Sequence, residues 1–264
     1  MGPRLRGDDK GWVSGAASCA VLVVLLVTWE VMANAFAISA LVLPPPTRIA
    51  QSLWNGLASG YFWPHLRTTA AELLLGLLAG CAVGFGAGVV LAEVPALRRL
   101  LMPYVVVSQV VPKLALMPLL IVWFGFGLAS TVLVTALICF FPLLENTMTG
   151  LAQVPPERLE LFRLLGASPA QTLWRLKLPT GLPAILAGLR IAVVLALVGA
   201  VVGEFIGASQ GLGALIIAAQ GSMDTPLLFA VLVLVSLLGL AAYQAALLLE
   251  RRLLRPYHLE GTPR

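Results

Sequence analysis

Three ionisable side chains fall inside or beside stretches otherwise suited to hydrocarbon: Lys113, Glu145 and Glu204. A charged group at bilayer depth is costly, so it marks an ion pair, a proton relay or a path for a charged solute. With Gln109, they are the candidates for lining a translocation path. Two readings of Lys113 stay open. It pairs with a substrate anion, or it is structural, paired with Glu145 or Glu204 or reaching to water. Catalysis is harder to build from this chain. Both histidines, His65 and His258, lie outside the apolar runs, whereas Cys19, Cys81 and Cys139 lie within them and lack metal-ligand spacing. The cysteines read as small buried hydrophobes. No lysine follows a glycine, so the Gly-Lys-Ser/Thr of a triphosphate loop is absent. Gly207, Gly211 and Gly213 lack the strand–turn–helix setting of a nucleotide loop. No metal or cofactor is expected in this chain, and whatever work it does on ATP, a partner must do the hydrolysis. An intramembrane enzyme is the alternative from a different class. Hydrolysis of a substrate by the purified chain alone would establish it.

The elements that position these residues are membrane spans. Of 264 residues, 59% are hydrophobic and only 11% charged, against about 25% charged in soluble domains. Apolar runs over 11–29, 70–92, 102–123, 129–148, 184–206 and 226–249 predict an all-α protein of six spans. The first run exceeds the apolar core of a signal peptide and reads as an uncleaved span. Pro44, Pro45 and Pro46 then break the chain, and Ile49, Leu53, Trp54 and Leu57 suggest a short interfacial helix. Gly76, Gly80, Gly84 and Gly88 recur every four residues, a stripe that lets a second helix approach closely. Pro112 and Pro118 should kink the third span, and Gly125-Phe126-Gly127 should separate it from the fourth. Glu30 and Asp224 fall at span ends and need no special role.

The longest polar interval, 155–183, has a design of its own. Leu161, Phe162, Leu164 and Leu165 alternate with Glu157, Arg158, Glu160 and Arg163, which suits a short amphipathic helix. Gly166 falls where such a helix needs positive φ to end. Ser168, Pro169 and Gln171 read as N-cap, first helical position and capping-box partner of a second helix. Pro179 should stop that second helix. A DNA-binding helix–turn–helix would share this outline, but Pro155, Pro156 and Pro179 tether the pair at the bilayer, and no nucleic acid is expected. Setting aside Arg48, Arg67, Lys113 and Arg190, thirteen of the seventeen Lys and Arg fall on the side of this interval and of both termini. The positive-inside rule makes that side cytoplasmic.

Glu160, Gly166 six residues on, then Leu176, Leu178 and Pro179 resemble the EAA motif, E-A-A-x3-G-x9-I-x-L-P, of type I ABC importer permeases. Leu161 and Phe162 stand in place of the two alanines, and Leu176 in place of isoleucine. The stretches VPKLALMPLLIVWFGFG (111–127), FFPLLENTMTGL (140–151), LLGASPAQTLWRLKLPTGLPAILAGLRIA (164–192), VVGEFIGASQGLG (201–213) and LERRLLRPYH (249–258) are similar to the nitrate/sulfonate/taurine branch of that family. The resemblance implies a homodimeric permease in the bacterial inner membrane, with two ABC ATPase subunits that bind ATP and Mg and a periplasmic or lipid-anchored binding protein. It assigns coupling to the ATPase to Glu160, Gly166, Ala167, Ser168, Leu178 and Pro179. It divides the chain into 1–65, a tail with the first span and an outer segment; 66–250, the type-1 transmembrane domain with coupling loop 151–183; and 251–264, a cytoplasmic tail. The implied cargo is a small anion of the sulfonate, taurine or nitrate class. The alternative is a thiamine-pyrimidine or riboflavin-type precursor, or an aromatic acid.

Overall fold

Helices make up all the regular structure among the described residues, as a chain that must satisfy its backbone in lipid requires. The computed structural model describes residues 9–36 and 39–258. Arg4, Arg6, Arg264 and the side chains of Lys10, Cys19 and His258 lie outside the described residues. The chain divides into two units, Met1–Tyr61 with Ala218–Leu232, and Phe62–Ile217 with Val233–Arg264.

The first unit holds α1 (Asp9–Ala35) and α2 (Pro46–Ala58). The expected helix after the three prolines is α2, with Pro46 in its first turn after an extended Pro45. Glu30 does more than end a span. Its carboxylate accepts from the Thr47 backbone N–H at 3.0 Å and the Thr47 hydroxyl at 2.9 Å, so α1 satisfies one of the orphan amides at the start of α2. Asp224 likewise accepts from the Leu227 N–H, in the first turn of a long helix over Thr225–His258.

The second unit is organised around α6 (Leu128–Ala152), which packs against both α3 (Phe62–Glu93) and α9 (Leu178–Gly207). Each glycine of the 76–88 stripe is buried against α6. A Cβ added at Gly76 would sit 2.5 Å from Thr135 Cγ2, and one at Gly88 would sit 2.7 Å from Thr147 Cβ. One at Gly80 would meet Cys139 Sγ, and one at Gly84 would fall on the Phe140 carbonyl. An adjoining face of α6, sharing Thr135 with the first, repeats the device: Gly150 meets Gly181, and Thr131 and Thr135 fill the space beside Gly203 and Gly199 of α9. In lipid, where hydrophobicity does not drive helices together, this close contact is what holds them. Cys139 is buried in the α3–α6 seam, as its apolar setting led one to expect.

Among the described residues, four helices are long and apolar enough to cross a membrane: Phe62–Glu93, Leu128–Ala152, Pro169–Gly207 and Thr225–Arg255. The pair α4 (Pro95–Val110) and Lys113–Phe124, bent by 83° at the break between them, makes a fifth apolar stretch if counted as one span. With the shorter apolar helix Ala20–Ala35 of α1, the arrangement is compatible with six spans. The break corrects the expectation of one kinked span over 102–123. Val111, before a proline, is extended, and Pro112 offers no N–H, so the chain restarts as a 3-10 turn (Lys113–Leu116). Pro118 lies in the first turn of α5 (Met117–Phe124), where it begins a helix and does not kink one.

Candidate functional site: the helix pair and the span it continues into

The polar interval forms α7 (Pro156–Leu164) and α8 (Pro169–Thr172), joined by four residues. Glu157 in the first turn of α7 and Arg163 in the last match the helix dipole. Gly166 has φ +70°, and two bonds close the end of α7: Gly166 N–H to Arg163 O and Ala167 N–H to Phe162 O, both 3.0 Å. This is a Schellman ending, in which the glycine occupies the left-handed position. Ser168 then caps α8. Its hydroxyl accepts from the Gln171 N–H at 3.2 Å, while its own N–H donates to Gln171 Oε1 at 2.8 Å. Two successive terminations, both written in the local sequence, fix the angle between the helices.

The pair presents apolar surface away from its own chain. Leu164 is 81% exposed and Trp174 69%, and Leu161, Leu165 and Glu160 are also exposed. Large apolar side chains bared on a polar interval mark a surface meant for a partner.

Pro179 does not stop the second helix. The chain runs unbroken from Pro169 to Gly207, 39 residues, about 58 Å at 1.5 Å per residue. A π-turn over Leu173–Lys177 makes this possible. Leu178 N–H donates to Leu173 O, five residues back, so the turn is widened just where the proline ring would otherwise crowd the preceding carbonyls. The second helix of the pair and α9 are therefore one rod. Where the rod enters the helix bundle, Lys177 Nζ donates to both oxygens of Glu93, the last residue of α3, at 2.7 and 3.0 Å.

At the far end of the rod, Glu204 is completely buried. Its carboxylate accepts from Thr69 Oγ1 of α3 at 2.6 Å and from the Gly213 N–H. Thr69 Oγ1 in turn accepts from the Leu212 N–H at 2.8 Å, and His65 Nδ1 lies 3.0 Å from the Gly211 carbonyl. Gly211 has φ +128°, and a Cβ there would strike the Glu204 carboxylate. The 207–213 turn is thus held by α3 and α9 together, and its exposed Ser209 and Gln210 line, with Arg67 and Thr68, a cavity of about 420 Å³. Glu72 is fully buried beside Glu204. Glu204→Leu is expected to destabilise the protein, because each buried donor left without an acceptor costs about 1–3 kcal/mol. Thermal denaturation in detergent checks this, with Glu204→Gln, which keeps one acceptor oxygen, falling between that variant and wild type.

The sequence candidates for a path are scattered in this conformation. Gln109 and Lys113 flank the 83° break, Gln109 exposed and Lys113 half-buried. Glu145 is exposed on α6, and Glu204 is enclosed. Neither expected partner takes Lys113; the ion pairs seen among the described residues include Lys177–Glu93 and Arg190–Glu250. Glu204 spends its oxygens on Thr69 and Gly213 instead. Sequence reasoning missed Thr69, Glu72, Glu93 and Lys177 as members of a site. Glu72 carried a signal, since it sits four residues before Gly76 and continues the glycine stripe onto the buried face. The Glu93–Lys177 pair carried none, because 84 residues separate its members.

A bundle of apolar helices with small-residue seams, interrupted by an exposed helix pair, is the architecture of a multi-pass membrane protein. The chain belongs to the binding-protein-dependent transport system inner membrane component family, whose pattern matches residues 74–255. It is a permease subunit of an ABC importer. It is 38% identical to the riboflavin transport system permease protein RibX of Chloroflexus aurantiacus over 97% of this chain and 95% of that one. With the formylaminopyrimidine transport permease protein ThiX of Halalkalibacterium halodurans it shares 37% identity over 87% and 91%. With the taurine transport system permease protein TauC of Escherichia coli K12 it shares 33% over 92% and 90%. The fold resembles that of an inward-facing MetNI methionine ABC transporter chain, with TM-score 0.64 and 21% identity over 72% of this chain and 94% of that one.

Proposed function

We propose that two copies of this chain enclose a translocation path in the bacterial inner membrane, with the α7–α8 pair of each seated in a groove on a separate ATPase subunit. A binding protein on the opposite face delivers the cargo. The observation that carries this reading is the helix pair itself, terminated by Gly166, capped at Ser168, bare of apolar cover and continuous with a spanning helix. Closure of the ATPases on ATP and Mg moves the pair, and the pair moves the span, a helix-in-groove contact driving a rigid-body change. Glu160, Ala167, Leu178 and Pro179 complete the coupling segment, and Gln109 and Lys113 at the broken span face the path.

For the cargo, a small anion of the sulfonate, taurine or nitrate class is the first reading. A flavin- or pyrimidine-type solute is the second, favoured by the 38% and 37% identity to permeases named for riboflavin and formylaminopyrimidine. Uptake of taurine, ethanesulfonate, nitrate, riboflavin and formylaminopyrimidine by cells carrying the chain with its ATPase and binding protein decides between the readings. Import of none of them would overturn both.

The proposed orientation puts both termini and the helix pair in the cytoplasm, on the charge argument. A cysteine at Ser168 is then labelled by a membrane-impermeant maleimide only from the cytoplasmic side, and one at Ser59 only from outside. The opposite pattern reverses the orientation.

A further inference from the structure

We propose that Glu93 and Lys177 are positioning residues for coupling: their ion pair is the fulcrum on which the helix pair turns the long span. The inference rests on the permease reading above. Four observations lead to it. The second helix of the pair and α9 form one rod over Pro169–Gly207, so any tilt of the coupling end is delivered along the whole span. The rod carries a π-turn at Leu173–Lys177, next to its coupling end, and a wide turn inside a helix is a place where it bends. Lys177, the last residue of the π-turn, grips both Glu93 oxygens, while the neighbouring Leu176 is buried and anchors the same turn. The rod is tied to α3 a second time at its far end, where Glu204 takes the Thr69 hydroxyl.

Two ties to one helix, one beside the coupling end and one beside the 207–213 turn, make a lever. With the near tie intact, a push on α8 rotates the rod about Lys177 and loads the far tie, which holds the turn through Gly213 and Leu212. With the near tie cut, the flexible π-turn absorbs the push, and the ATPase cycles without moving the far end. The pair does not bind cargo or nucleotide. It converts one motion into another, and charge complementarity alone is what it requires.

The test uses the complex of this chain with its ATPase partner, a cysteine at the exposed Ser209 of the 207–213 turn, and the native cysteines Cys19, Cys81 and Cys139 replaced by alanine. Maleimide labelling of Ser209→Cys is compared without nucleotide and after trapping with MgATP and vanadate. Trapping is expected to change the labelling rate about fivefold or more in the parent protein. In Glu93→Gln and Lys177→Gln the change is lost while ATP hydrolysis per complex persists. The exchanged pair Glu93→Lys with Lys177→Glu restores it, and Arg175→Gln, which removes an exposed neighbour, leaves it unaltered. Single variants that keep the full labelling change, or an exchanged pair that fails to restore it, overturn the fulcrum. A chain that does not associate with an ATPase overturns the coupling proposed above, and this inference with it.

Discussion

Gly84→Leu is expected to remove the protein from the membrane almost entirely, while Gly86→Leu, two residues away, leaves it at the wild-type level. A Cβ at Gly84 would land on the Phe140 carbonyl and come within 3.1 Å of its carbonyl carbon. These are backbone atoms in the middle of α6 and cannot turn aside. Over-packing a core costs about 1–3 kcal/mol when side chains can yield. Here the helices themselves must separate, and the neighbouring contacts at Gly80 and Gly88 are lost with them, which puts the change in the rare class above about 4 kcal/mol. Gly86 points the other way, with nothing within 4 Å of its would-be Cβ. The two variants therefore share helix propensity and apolar gain and differ only in the seam. Membrane abundance of a tagged chain should fall about tenfold or more for the first and hold for the second. Equal abundance of the two would mean that α3 and α6 do not meet along this stripe.

That seam was readable from sequence because a small residue every fourth position has one physical use in lipid. The end of α7 was readable for a related reason. Positive φ at Gly166 and the Ser168–Gln171 box are demands of the local backbone, and local demands are met by residue type. Pro179 shows where this reasoning stops. A proline inside a helix is a stop only if the helix keeps its ordinary pitch, and here a π-turn stabilised by the buried Leu176 and the Lys177–Glu93 pair relaxes it. The 83° bend at Val111–Pro112 was visible as a kink but not as a break. Its size depends on how the 3-10 turn after it packs against α6 and α9, and that information lies in other helices. Glu204 shows the same limit. An ionisable group in an apolar run marks a place of consequence, but its partners, Thr69 from 135 residues earlier and the Gly213 amide, decide whether it faces a path or closes a core.

Gly166→Val should spare the fold and cost transport. At φ +70° a β-branched side chain is strained wherever space is available, and space is available, since nothing lies within 4 Å of the would-be Cβ. Alanine there is expected to cost about 1 kcal/mol and valine somewhat more. That is too little to unfold a helix bundle whose seams lie elsewhere, because Gly166 touches none of them. The chain can relieve the strain only by leaving the left-handed region, which breaks the Gly166–Arg163 and Ala167–Phe162 bonds and swings α7 away from α8. The exposed Leu164 and Leu165 then move relative to Trp174, and in the proposed coupling the ATPase groove would meet one helix at a time. Membrane abundance is expected to stay near wild type, with co-purified ATPase reduced and uptake per molecule down about tenfold, a loss of the size typical of coupling free energies. Glu160→Ala, which removes an exposed charge from α7 without altering its path, should lower uptake less. If Gly166→Val instead lowers abundance while each surviving molecule transports normally, the helix pair is a connector and the coupling assignment fails.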